Sequence, residues 1–315
     1  MAEVKNVATR VGFGTALQEL GAIRDDFIVL DADLAAATQT GMFKKAFPDR
    51  FYDCGIAEQN MVGIAAGIAA TGKKVICSSF AMFAAGRAYE QVRNSVGYPN
   101  LNVIIGATHA GISVGEDGAT HQCNEDIALM RTIPNITIIN PADETEAKLA
   151  VKAALDHNGP VYMRFGRLAV PVIFGDDYKF EIGKGVELKD GTDVTVLATG
   201  LMVNEALQAH ELLKAEGISA RIINIHTIKP LDKEIVLKAA KETGAIVTAE
   251  EHSVVGGLGS AVSEVLCEEY PVPVVKLGVN DVFGHSGPAA KLLDEFGLRA
   301  VNIAEKAKKA ISMKK

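Results

Sequence analysis

The sequence predicts an α/β fold with doubly wound parallel sheets, divided into two domains. Short runs of β-branched residues alternate with amphipathic stretches along the whole chain, and this alternation is typical of parallel strands covered by helices. The length of 315 residues suggests two domains at roughly 150 residues each. Hydrophobic residues make up 48% and charged residues 23% of the chain, the balance of a globular rather than a disordered protein.

The elements of the first domain follow from its apolar runs. Short continuous runs of β-branched residues predict strands that are buried on both faces, and they occur at 27–30, 74–77, 102–105 and 137–140. The stretch 144–157 repeats alanine, leucine and valine at helical spacing, which predicts a helix with one buried face.

A second α/β series follows a change in composition. Strands are expected at 194–198, 220–225, 245–249 and 272–278, with helices over 204–215 and after Gly259. Between the two series, the polar segment 168–191 is interrupted by proline and glycine and has no helical period, which predicts a linker. We therefore expect a first domain over 1–167, a linker over 168–191 and a second, smaller domain over 192–315.

Composition excludes several classes of function. The 32 basic and 39 acidic residues give a net charge of −7, spread along the chain, which offers no basic surface for nucleic acid or an anionic membrane. The most apolar run, 61–70, is about half as long as a membrane-spanning helix needs to be, and the polar start lacks a signal peptide. Four widely spaced cysteines without a CxxC pair predict reduced thiols and no structural zinc. We expect a cytoplasmic protein.

A glycine-rich turn in the second domain raises the question of a dinucleotide site. The sequence Gly256-Gly-Leu-Gly follows an expected strand and begins a helix, as a phosphate-binding loop does. However, Val262 replaces the third glycine of that motif, and Lys276 stands where an acid would hold the ribose. The sequence also lacks the GxxxxGK[ST] loop of nucleotide hydrolases. A turn that packs a helix against the sheet is the favoured interpretation.

Two segments of the first domain contain residue types that suggest chemistry. Glu58 begins a nearly all-apolar helix, where burial would raise the pKa of a carboxyl group; an ordinary acid at a helix N-terminus is the alternative. Phe80 and Phe83 follow a strand and are three residues apart. On a helix they would share a face, either as an aromatic binding platform or as a core pair.

A third segment, 108–122, leaves the carboxyl end of an expected parallel strand, where open α/β sheets bind ligands. It contains His109, His121, Glu116 and Asp117 among glycines. The spacing of these groups matches no recurrent metal motif, so we expect no metal site in the chain. A solvated loop with incidental histidines is the alternative to a functional one.

Together these segments resemble the pyrimidine-binding half of transketolases, the thiamine-diphosphate enzymes of ketol transfer. Gly55-Ile-Ala-Glu-Gln-Asn-Met61 is similar to the segment around the cofactor glutamate of that family, and Gly115-Glu-Asp-Gly-Ala-Thr-His-Gln122 to its GEDGPTHQ loop. Ala8-Thr-Arg10, Asp31-Ala-Asp-Leu34 and the glycine-rich turn extend the resemblance over nearly the whole chain. The resemblance implies a thiamine-diphosphate-binding domain of pyrimidine type, followed by a transketolase C-terminal domain.

The resemblance also implies roles for individual residues. Glu58 matches the catalytic glutamate that hydrogen-bonds the aminopyrimidine of thiamine diphosphate and promotes activation of its thiazolium carbon. The other cofactor-binding residues that it implies are Asp33, Leu34, Phe80 and Phe83.

Further residues match the substrate channel of transketolases. His109 and His121 match catalytic histidines, and the near-neutral pKa of a free imidazole suits proton transfer to sugar hydroxyls. The substrate-binding residues that the resemblance implies are Arg10, His109, Asp117, His121 and Arg164. The chain departs from the family pattern at 35–37, where alanines replace a serine that helps to bind the sugar phosphate, so the preferred sugar stays open.

The resemblance further implies a partner chain. Transketolases bind the diphosphate and magnesium through a GDG…N motif in an amino-terminal domain, and this sequence lacks that motif. We therefore expect the C-terminal subunit of a split transketolase, assembled with an N-terminal subunit as α2β2, with Mg²⁺ bound by the partner and sugar phosphates as substrates. Similarity to 1-deoxyxylulose-5-phosphate synthase leaves another thiamine-diphosphate carboligase open, and a non-catalytic binding module is a third possibility.

Overall fold

The computed structural model describes residues 5–314, so residues 1–4 of the expected first domain and Lys315 of the expected second lie outside the described residues. It confirms the α/β class, with two largely parallel sheets covered by helices. The strands are β1 (Asn6–Ala8), β2 (Phe27–Asp31), β3 (Phe51–Asp53), β4 (Lys74–Phe80), β5 (Val103–Thr108), β6 (Thr137–Ile139), β7 (Val161–Arg164), β8 (Ala169–Pro171), β9 (Val186–Lys189), β10 (Val194–Ala198), β11 (Ala220–Asn224), β12 (Thr227–Lys229), β13 (Ile246–Ser253) and β14 (Val274–Val279).

The helices connect and cover these strands. They are α1 (Thr9–Gly21), α2 (Ala35–Thr38), α3 (Gly41–Ala46), α4 (Glu58–Ala69), α5 (Tyr89–Gln91), α6 (Asp126–Arg131), α7 (Glu144–Asp156), α8 (Met202–Ala215), α9 (Lys233–Thr243), α10 (Leu258–Glu269), α11 (Ala289–Glu295) and α12 (Ala300–Ser312). Short 3₁₀ segments lie at Pro48–Arg50 and Ile112–Asp117, and π-helical segments at Met82–Arg87 and Val92–Gly97. None of the described helices is long and apolar enough to cross a membrane.

The first sheet has seven strands in the order β12-β6-β7-β5-β4-β2-β3. All its strand pairs are parallel except that of β12 with β6. One face packs on α1 and α7 through Phe13, Leu17 and Val151, and the other packs on α4 and α6 through Met61 and Ile127. Because both faces are covered, the strands consist of the continuous apolar runs that the sequence shows.

The second sheet has five strands in the order β14-β13-β10-β11-β9 and is parallel except at its edge strand β9. The segment 168–191 therefore contains regular structure, because β9 lies within it and β8 pairs with β1. These strands have three and four residues and are flanked by glycine and proline. Such short edge strands leave too little periodicity to be seen in the sequence.

Parallel pairing brings the segments of interest to one edge of the first sheet. Asp31 at the end of β2 is in register with Ser78 of β4, and Phe80 at the end of β4 is in register with Thr108 of β5. The chain that follows each strand therefore emerges at the carboxyl edge, where open α/β sheets bind ligands.

Candidate active site

Four of the predicted residues form one cluster of aromatic and imidazole rings. Phe80 stacks on His109 with ring centroids 3.8 Å apart and an interplanar angle of 21°. His121 meets Phe83 edge-on, with centroids 5.2 Å apart. The cluster lies where β4 and β5 end, so strand register brings together residues that are distant in sequence.

The two phenylalanines reach each other differently from the helical pair that the sequence suggests. Phe80 is the last residue of β4, whereas Phe83 lies in the π-helical segment Met82–Arg87. Their rings are nearly parallel, at 13° and a centroid distance of 6.0 Å. They share a face because the chain turns sharply after the strand, rather than because they are three apart on an α-helix.

Glu58 lies beside this cluster and is buried, with 1% of its surface exposed. It is the first residue of α4, whose apolar side packs into the core. Its Oε1 accepts a hydrogen bond from Ser79 Oγ at 3.4 Å, and its Oε2 accepts one from Arg87 Nη1 at 2.8 Å. The guanidinium of Arg87 also lies 4.6 Å from the ring centroid of Phe83. Arg87 thus links the carboxyl group of Glu58 to an aromatic face of the cluster.

His109 is almost fully buried and adopts a left-handed backbone with φ of 56°. Its Nδ1 lies 3.0 Å from Thr108 Oγ1. Burial, reinforced by the positive charges of Arg10 and Arg167, lowers the pKa of His109 to about 3. The imidazole is therefore neutral at physiological pH and differs from the near-neutral titration expected of a free side chain.

His121 belongs to a loop that we call the histidine loop (residues 109–122). Glycines at 111, 115 and 118 all have positive φ, of 81°, 86° and 74°, which explains why the loop is rich in glycine. His121 is partly exposed, and its Nδ1 lies 2.9 Å from Thr120 Oγ1. Asp117 is exposed on the same loop and stands apart from the buried cluster.

The predicted cofactor residues Asp33 and Leu34 lie in the turn that follows β2. Asp33 is exposed, and its backbone N–H donates to Asp53 Oδ1 at 3.1 Å, while the N–H of Leu34 donates to Asp31 Oδ1 at 2.7 Å. Asp31 is the buried acid of this turn, and Thr38 is one of two threonines that donate to its Oδ2. Burial raises the pKa of Asp31 to about 6. Asp31 lies in the segment 31–34 that resembles the family, but the sequence alone predicts no role for it.

Two arginines lie near His109, and sequence reasoning found only one of them. Arg10 is half-buried and donates to the carbonyl of Ala37, and burial together with the charge of Arg167 lowers its pKa. Arg167 donates to the carbonyl of Val114 and, at 3.0 Å, to Glu116 Oε2. Both guanidinium groups act electrostatically on His109, and they make its surroundings, which we call the phosphate-binding pocket, positively charged and suited to an anion.

Arg164, which the resemblance implies for substrate binding, is held by Asp126 and Glu251, and its contact with the substrate stays a prediction. Its Nε donates to Asp126 Oδ2 at 2.8 Å and its Nη2 to the carbonyl of Glu251 at 2.9 Å. Only 3% of the residue is exposed. Asp126 and the carbonyl of Glu251 thus hold Nε and Nη2 of Arg164, and the residue lines a small pocket together with Thr9 and Gly166.

A cleft of about 770 Å³ opens beside the cluster and is walled by both domains. The first domain contributes Phe83, Arg87 and Thr120, and the second contributes Ser253 and Phe283. Within residues 5–314, no group of three or more histidine, cysteine, aspartate or glutamate side chains could hold a metal ion. The lining combines the rings of Phe83 and Phe283 with polar groups such as Arg87 and Thr120, which suits an organic ligand with a planar, hydrogen-bonding end.

Comparison with known proteins identifies the family. The model of the transketolase pyrimidine binding domain matches residues 5–172. The chain belongs to the transketolase family. The model of the transketolase C-terminal domain matches residues 183–303 of the same chain, so both halves of this transketolase chain have family counterparts.

Relatives of this transketolase chain include both partial and full-length proteins. A transketolase C-terminal section of Methanocaldococcus jannaschii is 51% identical, over 94% of each chain. A 6-deoxy-6-sulfo-D-fructose transketolase subunit of a Clostridium species is 46% identical, over 90% of this chain and 88% of the relative. Human transketolase is 40% identical, but the match covers 95% of this chain and only 48% of the human protein.

A solved structure described as a split gene transketolase, inactive beta4 tetramer, has the same fold. It is 53% identical, superimposes with a TM-score of 0.92, and the match covers 98% of this chain and all of the other. The transketolase family uses thiamine diphosphate, and the pyrimidine-binding domain is present in this chain. The buried carboxyl of Glu58 and the rings of Phe80 and Phe83 fit the hydrogen-bonding edge and the flat face of an aminopyrimidine.

The lowered pKa of His109 predicts how stability depends on pH. The unfolded chain takes up a proton at this side chain below about pH 6.5, while the folded chain does so only near pH 3. Stability from His109 is therefore complete above pH 6.5 and is lost as the pH falls, by up to about 1.4 kcal/mol per pH unit. We expect His109→Gln to flatten the decline of the free energy of unfolding between about pH 6.5 and 5, measured by urea denaturation.

A second histidine provides the control for this measurement. Hydrogen bonds to the Ser286 carbonyl and to Glu295 raise the pKa of the exposed His285. Its contribution has the opposite sign, being present below pH 6.5 and lost as the pH rises through the folded pKa. His285→Gln should therefore not flatten the acid decline. An unchanged decline in His109→Gln would contradict the assignment of a lowered pKa to His109.

Proposed function

We propose that the chain is the C-terminal subunit of a two-chain transketolase, which transfers a two-carbon ketol unit from a ketose phosphate to an aldose phosphate. The observation that carries the proposal is the buried Glu58 beside the rings of Phe80, Phe83, His109 and His121. The extent of the matches supports a split enzyme, because they cover a C-terminal section almost completely but only 48% of human transketolase. An N-terminal subunit then supplies the remaining half of the site, in an α2β2 assembly.

Thiamine diphosphate is the cofactor in this proposal, and this chain holds its pyrimidine end. When bound, the cofactor supplies the nucleophilic carbon that carries the two-carbon unit. Glu58 would hold the pyrimidine by a hydrogen bond and move a proton at its carboxyl group, while Phe80 and Phe83 would hold the ring by stacking. Asp33 and Leu34 would line its approach. The partner subunit would bind the diphosphate and Mg²⁺.

The remaining residues act on the sugar. His109 is neutral and buried, so its free nitrogen can exchange a hydrogen bond or a proton with a sugar hydroxyl, and His121 provides a second imidazole at the more open side. Asp117 would contact another hydroxyl of the sugar. Arg10 and Arg167 would bind the sugar phosphate, because planar guanidinium groups match phosphate oxygens in pairs.

Reconstitution tests the proposed function. We expect no ketol transfer from this chain alone, and transfer when it is mixed with its N-terminal subunit, thiamine diphosphate, Mg²⁺ and a ketose phosphate donor such as xylulose 5-phosphate. The measurement is the formation of the aldose phosphate left by the donor. A mixture that takes carbon from pyruvate but not from xylulose 5-phosphate would contradict a transketolase and indicate another carboligase.

Replacing Arg167 tests the phosphate-binding pocket. A charge-assisted hydrogen bond contributes roughly 1.5–3 kcal/mol, so Arg167→Gln should raise KM for a ketose phosphate by about 10- to 100-fold. KM for the same ketose without its phosphate should change little. The matched control is Arg24→Gln, whose guanidinium pairs with Asp26 just before β2 and which should affect stability without this selective effect. Equal rises in KM for both sugars would contradict a phosphate contact at Arg167.

A further inference from the structure

The end of β13 contains three consecutive polar residues that are buried, Glu250, Glu251 and His252. Successive side chains of a strand point to opposite faces, and the two glutamates accordingly make different contacts. Glu250 accepts from the backbone N–H groups of Leu258 and Gly259, at 2.7 and 2.8 Å, and so caps α10 within the second domain. Glu251 instead reaches across to the first domain.

The contact of Glu251 is with the histidine loop. Its Oε1 accepts a hydrogen bond of 2.6 Å from the backbone N–H of Ser113, which is buried and needs a partner inside the protein. Gly111 lies so close to Glu251 that a Cβ at this position would collide with the carboxyl group. Since Gly111 and Ser113 lie just after His109, the carboxyl of Glu251 fixes the path of the loop where it leaves this histidine.

The second domain also holds the other end of the histidine loop. Gln122 Nε2 donates to the carbonyl of His285 at 3.0 Å and to that of Ile112 at 3.2 Å. Gly118 packs so closely on Ser286 that a side chain at this position would collide with its hydroxyl. The part of the loop between these two contacts includes glycines with positive φ. Glycine has the most backbone freedom to lose when a loop becomes ordered.

We propose that Glu251 is a positioning residue of the active site, through which the second domain holds the histidine loop so that its two histidines face Phe80 and Phe83. The inference rests on the proposed function, since it gives a catalytic purpose to this loop. The second domain is then part of the catalytic apparatus, in addition to packing against the first. Glu251 acts through a backbone N–H and does not itself touch the substrate.

The variant Glu251→Ala removes the only acceptor that the structure shows for the Ser113 N–H among residues 5–314. In the two-chain enzyme we expect kcat to fall by about 10- to 100-fold, because small misplacements of catalytic groups have effects of this size, while KM for the ketose phosphate stays within about 3-fold. Burial raises the pKa of the Glu251 carboxyl, and an amide oxygen accepts the same hydrogen bond. Glu251→Gln should therefore restore kcat to within about 3-fold of wild type.

The matched control is Glu250→Ala, one residue earlier on the same strand and also buried. It removes two hydrogen bonds that stay within the second domain, so it should lower the melting temperature without the selective loss of kcat. Equal kcat values for Glu251→Ala and wild type would overturn the proposal. So would a loss of kcat in Glu250→Ala as large as that in Glu251→Ala, because the effect would then reflect general stability.

Hydrogen exchange of this chain by itself separates the inference from the proposed function. We expect the peptide 109–122 to exchange about 10-fold faster in Glu251→Ala than in wild type, and at the wild-type rate in Glu250→Ala and Glu251→Gln. Unchanged exchange in Glu251→Ala would show that Glu251 does not hold the loop. If the wild-type mixture fails to transfer ketol units while the exchange rates follow this pattern, the proposed function fails but the positioning of the loop stands.

Discussion

Replacing Glu58 by glutamine is expected to lower kcat of the two-chain enzyme by about 1,000-fold, because a positioned acid–base group typically contributes 10²- to 10⁴-fold. Glutamine has nearly the same shape and retains an oxygen that can accept from Ser79 and Arg87, the partners of Glu58 in the structure. It cannot, however, take up and release a proton. The loss should therefore appear in kcat measured at saturating thiamine diphosphate and ketose phosphate.

Two measurements separate this chemical effect from damage to the fold. Glu58→Gln should keep the melting temperature close to that of wild type, since glutamine preserves the packing of α4 and the partner Arg87 is half-exposed to solvent. Glu90→Gln, which changes an exposed acid nearby in the chain, should keep kcat within about 2-fold, as surface substitutions generally do. Turnover by Glu58→Gln at the wild-type rate would contradict the role proposed for this carboxyl group.

The sequence predicts the central parallel strands of the first sheet well because they are buried on both faces. Strands β2, β4 and β5 are apolar runs without alternation, and such runs are recognisable without any knowledge of their neighbours. Strand β12 was missed. It has three residues and pairs with β6, nearly ninety positions earlier in the chain, so its pairing depends on tertiary packing and leaves no local pattern.

In the candidate site, too, residues in distinctive local segments were predicted, whereas contacts that depend on tertiary packing were not. Glu58, Phe80 and His109 were predicted because each lies in a distinctive segment, and the parallel register then brings them to one edge of the sheet. The arginines were harder to distinguish. Arg164 and Arg167 are three residues apart, and only the structure shows that Arg164 is buried and paired with Asp126 while Arg167 is partly exposed and paired with Glu116. The partner of Arg164 is Asp126 on the neighbouring helix α6. The spacing of residues in the sequence does not show which of the two arginines has this partner.

The partner of Arg164 leads to the largest effect that we expect on stability. Asp126 is fully buried and accepts hydrogen bonds from Arg164 Nε at 2.8 Å and from the Tyr162 hydroxyl at 2.9 Å. Removing one member of a buried ion pair leaves the other charge without compensation, which typically costs about 3–5 kcal/mol. Asp126→Leu should therefore lower the free energy of unfolding by about this amount, measured by urea denaturation.

A double variant shows whether the unpaired charge is the cause. If the cost arises from the uncompensated guanidinium, Arg164→Met combined with Asp126→Leu should recover much of the stability, because an apolar pair of similar volume can replace a buried ion pair. The exposed pair Lys308–Glu216, 3.0 Å apart, provides the contrast, and Glu216→Gln should change stability by less than about 1 kcal/mol. Additive losses in the double variant would instead mean that the shape of the two side chains, rather than their charge, stabilises this part of the first domain.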